Sequence, residues 1–170
     1  HLMFAVTYTY TGYAMVKLAK ELVAAGEIGN IVNVNAEYLQ DWLIDEIGGG
    51  NQTTTKMSVW RTDPAKSGIS NCVGDIGTHI EDTVAYITGM HPKKVAAVLD
   101  NYGMDLDLNA NILVEYDNGV HGVYSCSQVC AGHLNGLVVR VFGSEGSIEW
   151  VQEEPDYLKV TKKGQPDQIY

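Results

Sequence analysis

The chain has 170 residues, 11 of them basic and 21 acidic, for a formal net charge of −10. The length suits a single domain with a sizeable core, and the negative charge argues against nucleic acid and anionic membranes, which attract clusters of Lys and Arg. No apolar run is long enough for a membrane helix. An odd number of cysteines, three, is typical of reduced thiols and predicts a cytoplasmic protein.

The first third of the chain alternates strand and helix signals. Residues 4–8 predict a short strand, and the abrupt start before them indicates a piece of a longer chain. Residues 11–25 carry a broad apolar stripe at helical spacing, followed by a glycine stop. Residues 30–43 alternate in part and predict a long strand. Residues 44–59 show no periodicity and contain three consecutive glycines and three consecutive threonines, which favours a mobile loop.

The remaining two thirds predict one helix followed only by strands. The helix covers residues 75–88 and ends at Gly89. The strands are predicted at 94–99, 109–116, 120–128, 137–142, 147–152 and 157–161, with hairpin turns at 117–119 and 143–146. This order predicts an α+β fold with a mostly antiparallel open β-sheet covered on one face by helices, in one domain over residues 1–170.

The second helix carries the candidate chemistry. Asp75 and His79 are one helical turn apart, so their side chains share a face. Asp82 and Tyr86 continue the same stripe. A carboxylate beside an imidazole is a common general acid/base arrangement, and Gly74 and Gly77 would leave the start of the helix open to a ligand.

Other interpretations of this pair remain open. Asp75 could be an ordinary carboxylate at a helix start, stabilised by the helix dipole, and His79 a partly buried core histidine. A metal site is disfavoured, because the other histidines show no companion spacing: His91, His121 and His133.

Aromatic and amide groups lie upstream of the pair. Trp60 and Arg61 offer a flat ring next to a forked cation, a combination suited to polyhydroxylated or anionic ligands. Strand alternation places Tyr38, Gln40 and Trp42 on one face. Both groups could equally fill a core gap or a sheet–helix interface.

Three segments carry a family resemblance. They are GEIGNIVNVNAEYLQDWL, WRTDPAKSGISNCVGDIGTHIEDTVAYITG and VRVFGSEGSIEWVQEEPDYLKV. Their order and spacing resemble the C-terminal domain of the Gfo/Idh/MocA oxidoreductases over nearly the whole chain. That domain has the fold called glyceraldehyde-3-phosphate dehydrogenase C-terminal-like. Its open sheet often mediates oligomerisation, so the resemblance implies a homo-oligomer formed through this face.

The resemblance also implies roles for individual residues. The family's Asp-x-x-x-His motif falls on Asp75 and His79, with His79 as the acid/base at the reacting group and Asp75 orienting it and holding substrate. Trp60 and Arg61 match a pair that faces the site. Tyr10 and Asn135 match residues near the substrate, which would be a sugar or a cyclitol, and Gln40 joins them from the strand pattern.

Two departures limit what this chain is expected to do. It has no Gly-x-Gly-x-x-Gly after a strand, so an N-terminal Rossmann domain that binds NAD or NADP, and the family's Glu-Lys-Pro segment, would belong to a longer parent. The piece alone is expected to be inactive and to bind no cofactor. Ser70, Asn71 and Cys72 stand where many members have glycines. The alternative is a non-catalytic oligomerisation or regulatory domain with a relic site.

Overall fold

The computed structural model describes residues 2–49 and 58–170. The eight strands are β1 (Ile31–Leu39), β2 (Pro92–Asp100), β3 (Asn109–Tyr116), β4 (His121–Ser127), β5 (Gly136–Gly143), β6 (Gly146–Val151), β7 (Leu158–Lys162) and β8 (Gln168–Ile169). The α-helices of the described part are α1 (Ala14–Ala24), α2 (Ser58–Arg61), α3 (Pro64–Ser67) and α4 (Thr78–Thr88). Two 3₁₀ turns, Thr9–Gly12 and Ile44–Gly49, and one π turn, Val73–Gly77, accompany them.

The strands form one open sheet in the order β2-β3-β4-β1-β5-β6-β7-β8. Every neighbouring pair is antiparallel except β1 and β4, which are parallel. Tyr38 on β1 lies opposite Cys126 on β4 and opposite Leu137 on β5. The register therefore places these three residues side by side in the middle of the sheet, on the face that the helices cover.

The core lies between that face and helices α1 and α4. Val16 and Ala19 of α1 are fully buried. The apolar side that the sequence predicts for the second helix is also buried: Ile76, Ile80, Val84 and Ile87. The α+β fold with a mostly antiparallel sheet is thus confirmed, and the apolar side of α4 fixes which of its other sides can face a ligand.

The opposite face of the sheet carries no helix among the described residues. Leu113 is 61% exposed and Val123 is 37% exposed there, and both line a groove of about 400 Å³. Arg140 joins Glu37 and Glu149 in ion pairs on the same face. This face therefore combines exposed apolar side chains with charges of both signs.

Several predicted bounds are wrong at the N-terminal end. Residues 4–8 form no strand. The helix predicted at 11–25 is a 3₁₀ turn followed by α1, because Tyr13 between them is extended, with φ −64° and ψ 141°. The strand predicted at 30–43 ends at Leu39, after which the chain turns.

The loop predicted at 44–59 is structured where it is described. Its start is a 3₁₀ turn and its end begins α2, while residues 50–57 lie outside the described part. The sequence also misses β8, a strand of two residues. Within residues 2–49 and 58–170, no helix has the length and apolar character that crossing a bilayer requires.

Candidate functional site

Asp107 fixes where the second helix begins. Its Oδ1 accepts from the backbone N–H of Asn71 at 2.9 Å, its Oδ2 accepts from Val73 N–H at 2.8 Å, and its carbonyl accepts from Cys72 N–H at 3.0 Å. Unpaired N–H groups at a helix start need such acceptors. The helical segment therefore begins near residue 72, ahead of the predicted start at Asp75.

The first turn of this segment is a π turn rather than an α turn. The N–H of Thr78 bonds to the carbonyl of Val73, five residues back. Gly77 is buried there, and a Cβ on it would lie 3.2 Å from Val73 Cγ1 and 3.4 Å from Cys126 Sγ. Gly77 therefore allows close packing of the helix on β4, instead of leaving room for a ligand as the sequence suggests.

Asp75 is held by partners that the sequence does not predict. Its Oδ2 accepts from Gln128 Nε2 at 2.9 Å and lies 3.4 Å from Arg61 Nε, as an ion pair. No described hydrogen bond joins it to His79. The two side chains interact through charge, because the carboxylate of Asp75 raises the pKa of His79 against the larger lowering by burial.

Gln128 joins Asn71 to Asp75 in a network of side-chain hydrogen bonds, the Asn71–Gln128–Asp75 network. It is fully buried, donates to Asp75, and accepts from Asn71 Nδ2 at 2.6 Å through its Oε1. Gln128 follows the last residue of β4 directly, and sequence reasoning missed it, as it missed Asp107. Nothing in the sequence of β4, HGVYSCS, singles out Gln128, because the strand itself is rich in polar residues.

Three tyrosine rings surround the imidazole of His79. The ring centroids of Tyr8, Tyr10 and Tyr38 lie 5.4, 5.0 and 6.3 Å from that of His79, all edge-on. Nδ1 is buried with no hydrogen-bond partner among the described residues, so Nε2 is the nitrogen left to meet a ligand. Burial lowers the pKa of His79, and the charges of Asp75 and Asp82 offset part of that change. The imidazole is therefore neutral near neutral pH.

The predicted binding residues beside these rings form one hydrogen-bonded network. The Tyr38 hydroxyl bonds to the Tyr10 hydroxyl and donates to Asn135 Oδ1. Asn135 Oδ1 also accepts from Gln40 Nε2 at 3.1 Å, and Gln40 Oε1 accepts from Trp42 Nε1 at 3.0 Å. Burial and the Tyr10 hydroxyl raise the pKa of Tyr38 well above its usual range. Tyr38, Gln40 and Trp42 are linked as the sequence suggests, although only Tyr38 lies in β1. Tyr10 and Asn135, which the family resemblance names, join them through the fold.

Arg61 lies close to two indole rings. Its guanidinium carbon is 4.9 Å from the ring centre of Trp60 and 5.7 Å from that of Trp42. Cation–π contacts at these distances help to hold the cation in place. The same cation pairs with Asp75, so Arg61 connects the two indole rings to the carboxylate of the Asn71–Gln128–Asp75 network.

These groups surround the start of α4 on two sides. On one side His79 presents a neutral imidazole, which can take up a proton. On the other, Arg61 and Asp75 line a cavity of about 180 Å³.

No cluster of three or more His, Cys, Asp or Glu side chains suited to a metal ion occurs in the part of the chain described. The arrangement suits proton transfer next to a polar binding cavity.

Comparisons with known proteins identify the family. Residues 16–149 match the family model described as GFO/IDH/MocA C-terminal domain, and the chain belongs to this family. It is 31% identical to an uncharacterized oxidoreductase, YfiI, of Bacillus subtilis (strain 168), covering 96% of this chain and 42% of that protein. It is 26% identical to levoglucosan dehydrogenase of Pseudarthrobacter phenanthrenivorans, covering 94% of this chain and 45% of that protein.

A solved structure agrees with the fold. The chain superposes with a TM-score of 0.84 on an inositol dehydrogenase homolog from Azotobacter vinelandii, complexed with NADH and myo-inositol. The two are 29% identical, over 97% of this chain and 41% of the other. The chain thus spans less than half the length of the relatives it matches.

The Asn71–Gln128–Asp75 network predicts an effect on stability. Gln128→Met removes the donor to Asp75 and the acceptor of Asn71 while keeping a similar volume. Because the buried amide of Asn71 and the partly exposed carboxylate of Asp75 would both lose their partner, the free energy of unfolding should fall by about 1–3 kcal/mol, measured by chemical denaturation. The matched control is Gln152→Met, since Gln152 Oε1 is buried without a hydrogen-bond partner among the described residues. An equal loss at both positions would contradict the role of Gln128.

Proposed function

We propose that this family member is the substrate-binding half of an NAD(P)-dependent dehydrogenase or reductase that acts on a sugar or cyclitol. The observation that carries the proposal is the half-buried imidazole of His79. It is kept neutral by burial, has one ring nitrogen left to meet a ligand, and lies one turn from a polar cavity with an Arg61–Asp75 ion pair. A neutral imidazole beside a polar cavity is the arrangement that removes a proton from an alcohol.

The relatives support the choice of substrate class. The similar structures include one described with NADH and myo-inositol and another with NADH and levoglucosan, both polyhydroxylated rings. The levoglucosan complex superposes with a TM-score of 0.85 at 25% identity. Trp60, Arg61 and the cavity beside them offer an aromatic surface and polar groups of both signs, which suit such rings.

The residues of this chain do not fit a dinucleotide by themselves. The sequence has no Gly-x-Gly-x-x-Gly turn, and the described sheet is mostly antiparallel, unlike a doubly wound nucleotide-binding sheet. We therefore place the cofactor site in an N-terminal Rossmann domain of a longer parent, and the isolated piece should be inactive. When bound there, the nicotinamide supplies the hydride exchange at the substrate carbon.

The side chains of this chain then divide the remaining work. His79 Nε2 takes the hydroxyl proton in the oxidation direction and returns it in reduction. The carboxylate of Asp75 stabilises the protonated imidazole through its charge and, with Arg61, holds part of the substrate. Tyr10, Gln40 and Asn135 already bond to one another, so they bind substrate with their remaining hydrogen-bonding capacity and keep the wall around His79 rigid.

The open face of the sheet supports a second role, in assembly. A face with exposed apolar side chains and charges of both signs can pair with a second copy of itself, as a twofold interface requires. We propose that a second copy of the chain covers this face.

The three cysteines are free, which suits a reducing compartment such as the cytoplasm.

Loss of the imidazole tests the proposed enzyme. In the complete parent protein, His79→Ala should lower kcat for the active member of a sugar and cyclitol panel by about 10²–10⁴-fold, as loss of a general acid/base does, with cofactor affinity little changed. The panel is assayed with NAD and with NADP by absorbance at the reduced nicotinamide band. The control is His91→Ala, whose side chain is 68% exposed. Near-native turnover of His79→Ala would contradict the assignment.

The lowered pKa of His79 predicts a pH profile. A base works when unprotonated, so kcat/KM for oxidation should fall only below about pH 6.5, the ordinary value for imidazole. Asp82→Asn removes a charge that raises the pKa of His79. The acid limb of the profile should therefore move to lower pH in this variant. An unchanged limb, or a shift upward, would show that His79 is not the titrating group.

A charge on the open face tests the assembly. Leu113→Lys places a cation in the apolar part of that face and should lower the solution mass of the parent, measured by light scattering at several concentrations. Ile69→Lys is the matched control, because Ile69 is fully exposed in the loop before α4. A native mass for Leu113→Lys would contradict an interface on this face.

A further inference from the structure

Strand β2 forms one edge of the sheet and is exposed along almost its whole length. It stands first in the sheet order, with β3 as its only neighbour among the described strands. Every residue from Pro92 to Leu99 is exposed, and Asp100 is half-buried. The backbone N–H and C=O groups on its outer side therefore meet no described strand, and such an edge can pair with another chain.

The devices that usually protect a sheet edge are confined to the start of β2. Pro92 cannot donate a backbone hydrogen bond, Lys93 and Lys94 carry charge, and the register on β3 shifts between Pro92 and Lys94. Proline, lysine and bulges all discourage edge pairing. Residues 95–99 have none of these features, since the run is Val-Ala-Ala-Val-Leu. The opposite edge strand, β8, is protected differently, by having only two residues.

The register of β2 on β3 determines which side chains share a face. Val95 lies opposite Val114, and Leu99 lies opposite Ala110. Val114 and Ala110 are buried, so Val95, Ala97 and Leu99 are on the helix-covered side of the sheet. Val95 and Leu99 are nevertheless 63% and 52% exposed, because the described helices do not extend over this edge. Alternation places the other side chains of this stretch on the open face: Lys94, Ala96, Val98 and Asp100.

A second copy of the chain matches this edge in one antiparallel register. A twofold axis perpendicular to the sheet brings side chains of the same face opposite each other and closes the pair. With the axis at Ala97, Lys94 lies opposite Asp100 of the second copy, and Asp100 lies opposite Lys94 of the second copy. Cross-strand pairs of unlike charge stabilise a sheet, whereas like charges destabilise it. The charge pattern of β2 is therefore complementary to itself.

Neighbouring registers lose this match. With the axis at Ala96, Asp100 would lie opposite Pro92, and with the axis at Val98 it would lie opposite Ala96. In both cases neither charged group has an opposite charge across the pair. Only the axis at Ala97 pairs both charges and also places Val95 opposite Leu99, two exposed apolar side chains.

We propose that β2 pairs with β2 of a second copy around a twofold axis at Ala97, which joins two sheets into one continuous sheet. Lys94 already pairs with Glu115 at 3.1 Å, and Asp100 accepts from Asn109 Nδ2 at 2.8 Å. Both charged groups are thereby held beside the strand, where the pairing uses them. This edge is a different surface from the open face, and its pairing does not depend on the proposed activity.

The size of the edge predicts weak pairing. A standard interface uses about 20–30 residues a side, and the paired stretch covers only residues 94–100. The pairing should therefore depend on protein concentration when it acts alone. Where the open face also joins two copies, edge pairing would connect such pairs into a larger closed assembly.

Cysteine cross-linking tests the register. In the complete parent protein, Ala97→Cys places two thiols opposite each other, about 4.5–5.5 Å apart at their Cα atoms, which a disulfide can span. Glutathione disulfide accepts the two electrons and protons of these thiols, so the variant should run as a covalent dimer on a non-reducing gel. Val95→Cys is the matched control, because its two copies would lie about 14 Å apart in this register. No dimer for Ala97→Cys, or an equal yield for Val95→Cys, would overturn the proposal.

Charge exchange separates a second copy from other occupants of the edge. Lys94→Glu and Asp100→Lys each oppose like charges, so either variant alone should lower the average mass at high concentration, measured by sedimentation. An equimolar mixture should recover the native mass, because every opposed pair in the mixed dimer again joins unlike charges. Lys163→Glu, at an exposed residue of the turn after β7, controls for net charge and should keep the native mass.

Three results would overturn the edge pairing and leave the proposed function intact. The first is a mixture that stays dissociated, and the second is a native mass for both single variants. The third is a change in melting temperature or cofactor affinity without a change in mass, which would show that another part of the parent covers β2. None of these measurements requires turnover of a substrate.

Discussion

The carboxylate of Asp107 determines where the helix of the site begins. It accepts from the N–H groups of Asn71 and Val73, and those bonds anchor the segment before the π turn. The anchored segment then packs on β4 through Gly77, which leaves only 3.2–3.4 Å for a Cβ. This anchor sets where the helix starts, and the buried apolar side of α4 then fixes Asp75 and His79 relative to the sheet.

Two polar systems divide the work around that helix start. The Asn71–Gln128–Asp75 network holds Asp75, which pairs with Arg61 beside the cavity. The tyrosine group holds the ring of His79 by edge contacts and keeps its pKa low by burial. The two systems interact through charge, since Asp75 raises the pKa of His79. In the proposed enzyme, binding and proton transfer would therefore influence each other without a direct hydrogen bond between the two residues.

The two faces of the sheet carry different chemistry for a simple reason. Alternation along each strand sends every second side chain to the helix-covered face, where the core and the site lie. The other residues, such as Leu113 and Arg140, point to a face that no described helix covers. If the proposed second copy covers that face, it buries apolar surface on the side opposite the cavity, and the proposed assembly and substrate binding would be altered separately.

Periodicity in the sequence determined most of the fold and the outline of the site. The apolar side of α4 and the strands β3 to β7 follow from local spacing, because helices and strands repeat over a few residues. The partners of Asp75 and the start of the second helix do not follow from spacing. Gln128 and Asp107 are 53 and 34 residues from the groups they hold, and only the pairing of strands brings them there. The tertiary structure alone decided that Asp75 bonds to Gln128 and Arg61, because those partners come from elements distant in the chain.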